Sequence, residues 1–564
     1  MPLKHVKPRG HSSETKPLDP RQMVMPDIQV SPFEIGVKIF EVWTILITNL
    51  TRPMHHALQI QEILLNIFGH CCQSSEVTGD LFLCSGFEAL ARTCRAFKEP
   101  ALDVLWEELF ELSPIVRCVP KASHQLSSES YAFHRSLTQI EWDILRSYTR
   151  RIRSINLEDD IPGIDRKCFL NLLKHPMTEP LFSNVRKLRF QYPNDKHLLL
   201  ATFPSLMSLS IQLNKPRSFE YSLRLFAKIS PSLANLYILP YHYASIDMDR
   251  IDPKFICHWR NLQSFNCSKM PLDMTTLVHL SRLPALVNLS FTLRSTLLDQ
   301  ISLSESPLIF SNLDRLVLLS EFLGPVSHLL SLTRLPAVTD LAVCIDFRPA
   351  RQDLSLFFAN VRTSGSLRTI QELWLIQSHD RGRTSIPGDK LVLGLEDLQL
   401  YVPFSNLRRI QLDIEGKVDL TDSELLTLVS TWPCLEELRI NKEWGWNTLG
   451  GITPNGLLQL LQSCPLLTRI ALPIDTRAEI PPSLTSLEFL PPREQYIIDF
   501  VDSFIEEESV PAIAAFIASL MAPSKFYFHA WSGSGMTEAP YRDVCWSRWR
   551  DVQDRVRDAG QLDW

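Results

Sequence analysis

Pro284-Ala285-Leu286-Val287-Asn288-Leu289-Ser290-Phe291 holds the pattern on which the fold turns. A proline is followed by apolar residues at the third, sixth and eighth positions, with other residues between them. The arrangement returns as Pro204 with Leu206/Leu209/Ile211, Pro231 with Leu233/Leu236/Ile238 and Pro336 with Val338/Leu341/Val343. It returns again as Pro433 with Leu435/Leu438/Ile440, Pro465 with Leu467/Ile470/Leu472 and, more weakly, Pro482 with Leu484/Leu487/Phe489. Six copies lack the proline: Ile152/Ile155/Leu157, Val185/Leu188/Phe190, Leu262/Phe265/Cys267, Leu313/Leu316/Leu318, Ile370/Leu373/Leu375 and Leu407/Ile410/Leu412. From 152 to 467, successive copies lie 21 to 37 residues apart.

Apolar alternation with period two is the mark of a strand buried on one face. Proline just before it halts the preceding helix and favours extended chain. The intervals carry helix-period stretches at Met274–Leu283, Pro325–Leu335, Leu354–Val361, Ser423–Trp432 and Pro454–Cys464. Thr421-Asp422-Ser423-Glu424 has the form of a capping box, and Thr453-Pro454 reads as an N-cap followed by proline in the first turn. Strand, turn, helix, turn at this spacing predicts an α/β leucine-rich-repeat solenoid over residues 151–490.

Composition agrees. Of 87 leucines, 68 fall in residues 151–490, 17 in residues 1–150 and 2 in the last 74. A solenoid buries leucine once or more per turn, so that skew is what the fold demands. Residues 491–564 instead draw their apolar mass from Phe504, Ile513, Phe516, Phe528, Trp531, Trp546 and Trp549, and read as a C-terminal cap.

Upstream, residues 1–53 divide into a Pro- and Ser-rich stretch expected to be disordered and a short amphipathic segment from Ile35 to Ile47. Residues 54–112 carry three apolar stripes at helical spacing: Ile63/Leu64/Ile67/Phe68, Phe87/Leu90/Ala91/Cys94/Phe97 and Leu102/Leu105/Trp106/Leu109. They predict a small all-α module of three helices, with residues 69–86 looping out and Pro100 opening the third helix. Residues 113–150 read as a helical linker and N-terminal cap.

Net charge is −6 and both signs are mixed throughout, which argues against nucleic acid as a partner. The 12 cysteines include no CxxC, so neither zinc nor redox chemistry is expected. The opening residues lack the apolar core of a signal peptide, and Phe33–Leu50 is interrupted by Glu34, Lys38 and Glu41. The expectation is a cytoplasmic or nuclear chain that is neither secreted nor membrane-bound. Ser532-Gly533-Ser534-Gly535 lacks the surroundings of a nucleophile elbow, and His55-His56 and Cys257-His258 are adjacent pairs poorly suited to one metal. No catalytic residue, cofactor or metal ligand is expected.

Three runs in the helical module carry a resemblance. Ile60-Gln61-Glu62-Ile63-Leu64-Leu65-Asn66-Ile67-Phe68, then Leu90-Ala91-Arg92-Thr93-Cys94-Arg95-Ala96-Phe97, then Pro100-Ala101-Leu102-Asp103-Val104-Leu105-Trp106 resemble an F-box, most closely those of mushroom-forming fungi that precede irregular leucine-rich repeats. The departures are Ile60 in place of Leu, Gln61 in place of Pro, and the long 69–86 insertion. The resemblance implies a substrate-recognition subunit of a Skp–cullin–F-box ubiquitin ligase, which is not itself an enzyme. Its module would dock a Skp-type adaptor, and through it a cullin, with Leu58, Ile60, Gln61, Glu62, Ile63, Ile67, Phe68, Leu90, Cys94, Phe97, Leu105 and Trp106. The alternative is a repeat scaffold whose degenerate F-box has no ligase role, which Gln61 favours.

Strand register supplies the other surface. With the first, fourth and sixth residues of each copy inward, the third and fifth face the concave side, where a protein substrate would bind. Those columns contain Arg189, Tyr237, Arg315, Trp374, Arg409 and Arg439, residue types that anchor interfaces. Trp444 and Trp446, just past a strand end, are either a further anchor or packed into the interior, and both readings stay open. Trp374 is expected to be open to solvent with Arg409 and Arg439 exposed on adjacent strands, the alternative being a loop from the 375–407 interval folded back over it.

Overall fold

The computed structural model describes residues 60–73, 82–120, 124–127, 130–133, 135–157, 180–191, 203–213, 219–240, 252–294, 307–365, 367–378, 391–448, 450–480, 495–521, 525–533, 536 and 541–558. The chain divides into two compact units after Leu105.

Among the described residues, the first unit has three helices, α1 (Gln61–Gln73), α2 (Phe82–Thr93) and α3 (Arg95–Leu105). Leu64 and Phe68, four residues apart on α1, point into a core with Phe87, Phe97 and Ala101. Both Phe87 and Phe97 meet the Phe68 ring edge on, at centroid distances of 5.8 and 5.9 Å. The boundaries differ from those the stripes predict. The long segment between the first two stripes is partly helical, since α1 runs to Gln73 and α2 starts at Phe82. The second stripe is also broken at Cys94, whose carbonyl accepts the first bond of α3 from Lys98. Pro100 consequently sits inside α3 rather than opening it.

The second unit opens with β1 (Glu108–Leu109), α4 (Ser113–Arg117), an antiparallel hairpin of β2 (His124–Ser127) and β3 (Ser130–Phe133), and α5 (Gln139–Thr149). Residues 113–150 are therefore not wholly helical. Thr138 caps α5 in the reciprocal arrangement with Glu141. Because β1 pairs with β4 (Ser154–Leu157), residues 106–112 belong with the solenoid rather than with the helical module.

From β4 the chain builds one parallel sheet. Its strands are β5 (Lys187–Gln191), β6 (Ser208–Leu213), β7 (Asn235–Pro240), β8 (Ser264–Pro271) and β9 (Asn288–Leu293). Short β10 (Leu308–Ile309) and β12 (Thr333–Arg334) pair with each other outside it, as do β15 (Val392–Leu393) and β17 (Lys417–Val418). The main sheet continues with β11 (Arg315–Ser320), β13 (Asp340–Ile345), β14 (Glu372–Gln377), β16 (Arg409–Asp413) and β18 (Glu437–Ile440). It ends with β19 (Arg469–Ala471), β20 (Gln495–Asp499) and β21 (Lys525–His529), making 15 strands among the described residues. Returning helices include α6 (Phe219–Ile229), α7 (Met274–Ser281), α8 (Leu323–Ser331), α9 (Arg351–Ser364), α10 (Leu395–Leu398), α11 (Asp422–Val429) and α12 (Pro454–Ser463). This is a strand–helix solenoid of leucine-rich-repeat type.

Its core is the predicted ladder. The leading residues Ile152, Val185, Leu206, Leu233, Leu262, Leu286, Leu313, Val338, Ile370, Leu407, Leu435 and Leu467 are all at most 2% exposed. Each sits just after the turn in which the prolines lie, and the strand begins two residues later. Thr421 caps α11 reciprocally with Glu424, and Thr453 caps α12 with Pro454 in its first turn. The weak copy at Leu484/Leu487/Phe489 lies outside the described residues.

Beyond residue 490 the expected cap takes a different form: β20, α13 (Val510–Met521), β21 and α14 (Arg542–Asp558) follow in order, and the two strands prolong the sheet. Trp531 and Trp549 both donate their indole N–H to the Ser503 carbonyl at 2.9 Å. On the last strand, the His529 carbonyl accepts from Phe500. Successive carbonyls along a strand point to opposite sides, so that of Phe528 faces the free edge. There it accepts from the Gln553 side chain of α14 at 2.8 Å.

Candidate protein-interaction surfaces

In the first unit, the start of α1 is the surface that its own core leaves uncovered. Ile60 is 47% exposed, Gln61 and Glu62 are exposed, and Ile63 and Ile67 are half-buried. Ile67, Leu90, Cys94 and Leu105 rest partly buried against the core. Phe68 and Phe97, read from the sequence as adaptor-facing, instead build that core, because their rings meet each other and Phe68 also meets Phe87 across the helices. Trp106 is also withdrawn: it lies in the second unit, buried with its ring 4.9 Å from that of Tyr148. Leu58 lies outside the described residues.

In the second unit, register decides what the open face of the sheet presents. Lys187, Ser208, Asn235, Ser264, Asn288, Arg315, Asp340, Glu372, Arg409, Glu437 and Arg469 are directly paired from strand to strand. Two residues on, a second row holds Arg189, Ser210, Tyr237, Asn266, Ser290, Val317, Ala342, Trp374, Gln411, Arg439 and Ala471. Both rows are the predicted outward columns, side by side as expected.

The charges of the first row are largely compensated. Arg315 pairs with Asp340 at 2.8 Å and Arg409 with Glu372 at 2.8 Å. Glu437, itself buried, receives Arg439 at 2.6 Å and Arg469 at 3.2 Å. The two 2.8 Å separations are those of charge-assisted hydrogen bonds. Burial nevertheless pushes the Asp340 carboxyl up to about 6, outweighing the pull of Arg315 in the opposite direction. Of the arginine candidates, only Arg189 is exposed without an ion pair among the described residues.

Trp374 corrects its expectation in part. It lies on the outward row, but half-buried, and its neighbours there are Ala342 and Gln411 rather than two guanidinium groups. Its indole N–H is shielded from solvent and makes no hydrogen bond among the described residues. What the side chain shows to solvent is therefore carbon.

Trp446 is no surface anchor. It is 1% exposed, donating its indole N–H to the Ile440 carbonyl at 2.8 Å, and Trp444 beside it is half-buried. Two carboxylates hold their loop. Asp413 accepts from the Glu443 backbone N–H at 3.1 and 3.2 Å, while burial pushes its carboxyl up to about 7. Asp502 accepts the backbone N–H groups of Trp446 and Asn447, each at 2.8 Å. Neither acid announces itself in the sequence, since each is a single polar residue with no repeat.

Among the described residues, no group of three or more His, Cys, Asp or Glu is placed to hold a metal, and no helix is long and apolar enough to cross a membrane. No protein-family model and no curated protein matches the chain. Solved structures with partial backbone likeness include an internalin from Listeria monocytogenes, at 12% identity and a TM-score of 0.30, covering 70% of this chain and 86% of that one. The yeast Rad7 and Elc1 complex aligns at 12% identity and a TM-score of 0.31, covering 85% and 94%. A TDR receptor aligns at 11% identity and 0.30, covering 69% and 57%.

Proposed function

We propose that the chain is a substrate-recognition subunit of a Skp–cullin–F-box ubiquitin ligase, docking a Skp-type adaptor through its helical module and a protein substrate through its repeats. The observation that carries this reading is the division of labour in the fold. A helical unit with its own phenylalanine core leaves Ile60, Gln61 and Glu62 exposed at the start of α1, and a long solenoid follows in the same chain. A small module with an apolar residue displayed beside half-buried Ile63 and Ile67 suits a partner that completes its cover. The ubiquitin-transfer chemistry then belongs to other subunits, and the chain works in the cytoplasm or nucleus.

A second reading, a repeat scaffold with no ligase role, is favoured by Gln61 and by the enclosure of Phe68, which leaves a smaller apolar docking face than the sequence promises. Co-purification of the full chain with a Skp-type adaptor separates the two. Stable association at micromolar concentration is expected; its absence moves the chain to the scaffold reading.

A further inference from the structure

The second outward row and the next one beyond it enclose a patch on three neighbouring strands. Val317 and Leu319 on β11, Ala342 and Cys344 on β13, and Trp374 and Ile376 on β14 stand side by side by register. All point away from the helix-facing core, since Leu318, Val343 and Leu375 between them are completely buried. Five of the six retain partial exposure, and Ala342 lies beneath them. Burial pushes the Cys344 thiol up, keeping it neutral and apolar in character. The charges bordering this patch are already paired, Arg315 with Asp340 and Arg409 with Glu372, so it attracts an apolar group and offers little to an ionic one.

The other end of the same face is its opposite. On β5, Lys187 and Arg189 are exposed and make no ion pair among the described residues, with exposed Arg186 just before them. Their row neighbours are the neutral Ser154, Asn156, Ser208 and Ser210. The nearest acid in their rows is Glu108, two strands from Lys187. Between the two ends run Ser210, Tyr237, Asn266 and Ser290, polar but uncharged.

We propose that this face takes an extended segment of a partner protein laid across the strands, with a bulky apolar side chain on the Val317–Trp374 patch and acidic residues against Lys187 and Arg189. The inference rests on the reading of the solenoid as a receptor and names the chemistry of what it receives. Charge complementarity fixes one end and apolar contact the other. Seven strand steps separate β5 from β14. At about 4.8 Å each they span roughly 34 Å, which an extended chain covers in about ten residues. Electrostatics at the basic end would govern capture and orientation, with apolar burial holding the segment in place.

The test is selection of peptides about sixteen residues long from a random display library on the full chain. Enriched peptides are expected to carry acidic residues and a bulky apolar residue about eight to twelve positions apart. On a Lys187→Glu/Arg189→Glu double variant the acidic preference should vanish, with affinity of the selected peptides falling at least about tenfold and rising again for versions with lysine in place of the acids. Both side chains are exposed, and thermal unfolding of the variant checks that the solenoid stands. Trp374→Ser should remove the apolar preference while leaving the acidic one. No enrichment, a motif without this spacing, or identical selections on wild type and variants would overturn the proposal. Adaptor co-purification with the same proteins separates it from the ligase reading, because neither substitution touches the helical module.

Discussion

Phe68 and Phe97 meet edge to face, with centroids 5.9 Å apart and ring planes at 88°, and so join the first helix of the small unit to the third. Removing the Phe68 ring leaves a void that three short helices have little means to fill. Phe68→Ala should cost about 3–5 kcal/mol. Hydrogen exchange in the full chain should then accelerate across residues 61–105, with the solenoid unchanged; unaltered protection there would deny Phe68 its central place.

Ile60 makes the opposite case. It is 47% exposed at the start of α1, so Ile60→Ser should shift stability by no more than about 0.5 kcal/mol. If the adaptor covers this corner, the same change should weaken adaptor binding by about 1–2 kcal/mol. Titration calorimetry on the folded variant reads the difference, and an unchanged dissociation constant would move the docking face elsewhere.

Asp413 predicts a pH dependence. Its carboxyl is pushed up to about 7 by burial, while an unperturbed aspartate titrates near 3.8. A raised folded-state value means the native state prefers the neutral acid. That contribution is complete below about pH 4 and is lost as pH climbs through about 7. The melting temperature should therefore fall from pH 5 to pH 8, and Asp413→Asn should flatten the decline. Parallel curves for the two proteins would assign the slope to other groups.

Gly445 has φ of +77°, and a Cβ there would lie 2.7 Å from an oxygen of Asp502. Gly445→Ala strains the backbone and drives that carboxylate off the Trp446 and Asn447 amides, at a cost of about 1–3 kcal/mol. In an Asp502→Ala background the same change should cost less, since the colliding group is gone. Additive losses in denaturant melts would show that the clash does not couple them.

The ladder was legible in the sequence because every strand repeats one demand: a residue pointing inward must be apolar, and the next need not be. That demand placed Lys187 through Arg469 in one row without any contact being known. The small unit was harder to read, because a helical stripe says that a face is buried but not what buries it. Phe68 could belong equally to the module or to a partner, and only the approach of Phe87 decides it. Asp413 and Asp502 had no pattern to betray them, their backbone partners lying 30 and 56 residues away. Position past a strand end left Trp446 open to either an anchor or a packed role, and its burial makes it a plug for the loop it occupies.

A repeat array has no natural length, since each added turn recreates the edge that the next copy, or a neighbouring molecule, can join. Gln553 acts as a terminator: its amide fills the Phe528 acceptor that an incoming strand would use, from a helix that stands on the same end. The last strand thus offers one acceptor fewer to a neighbouring molecule, and its edge is a poorer template for polymer growth.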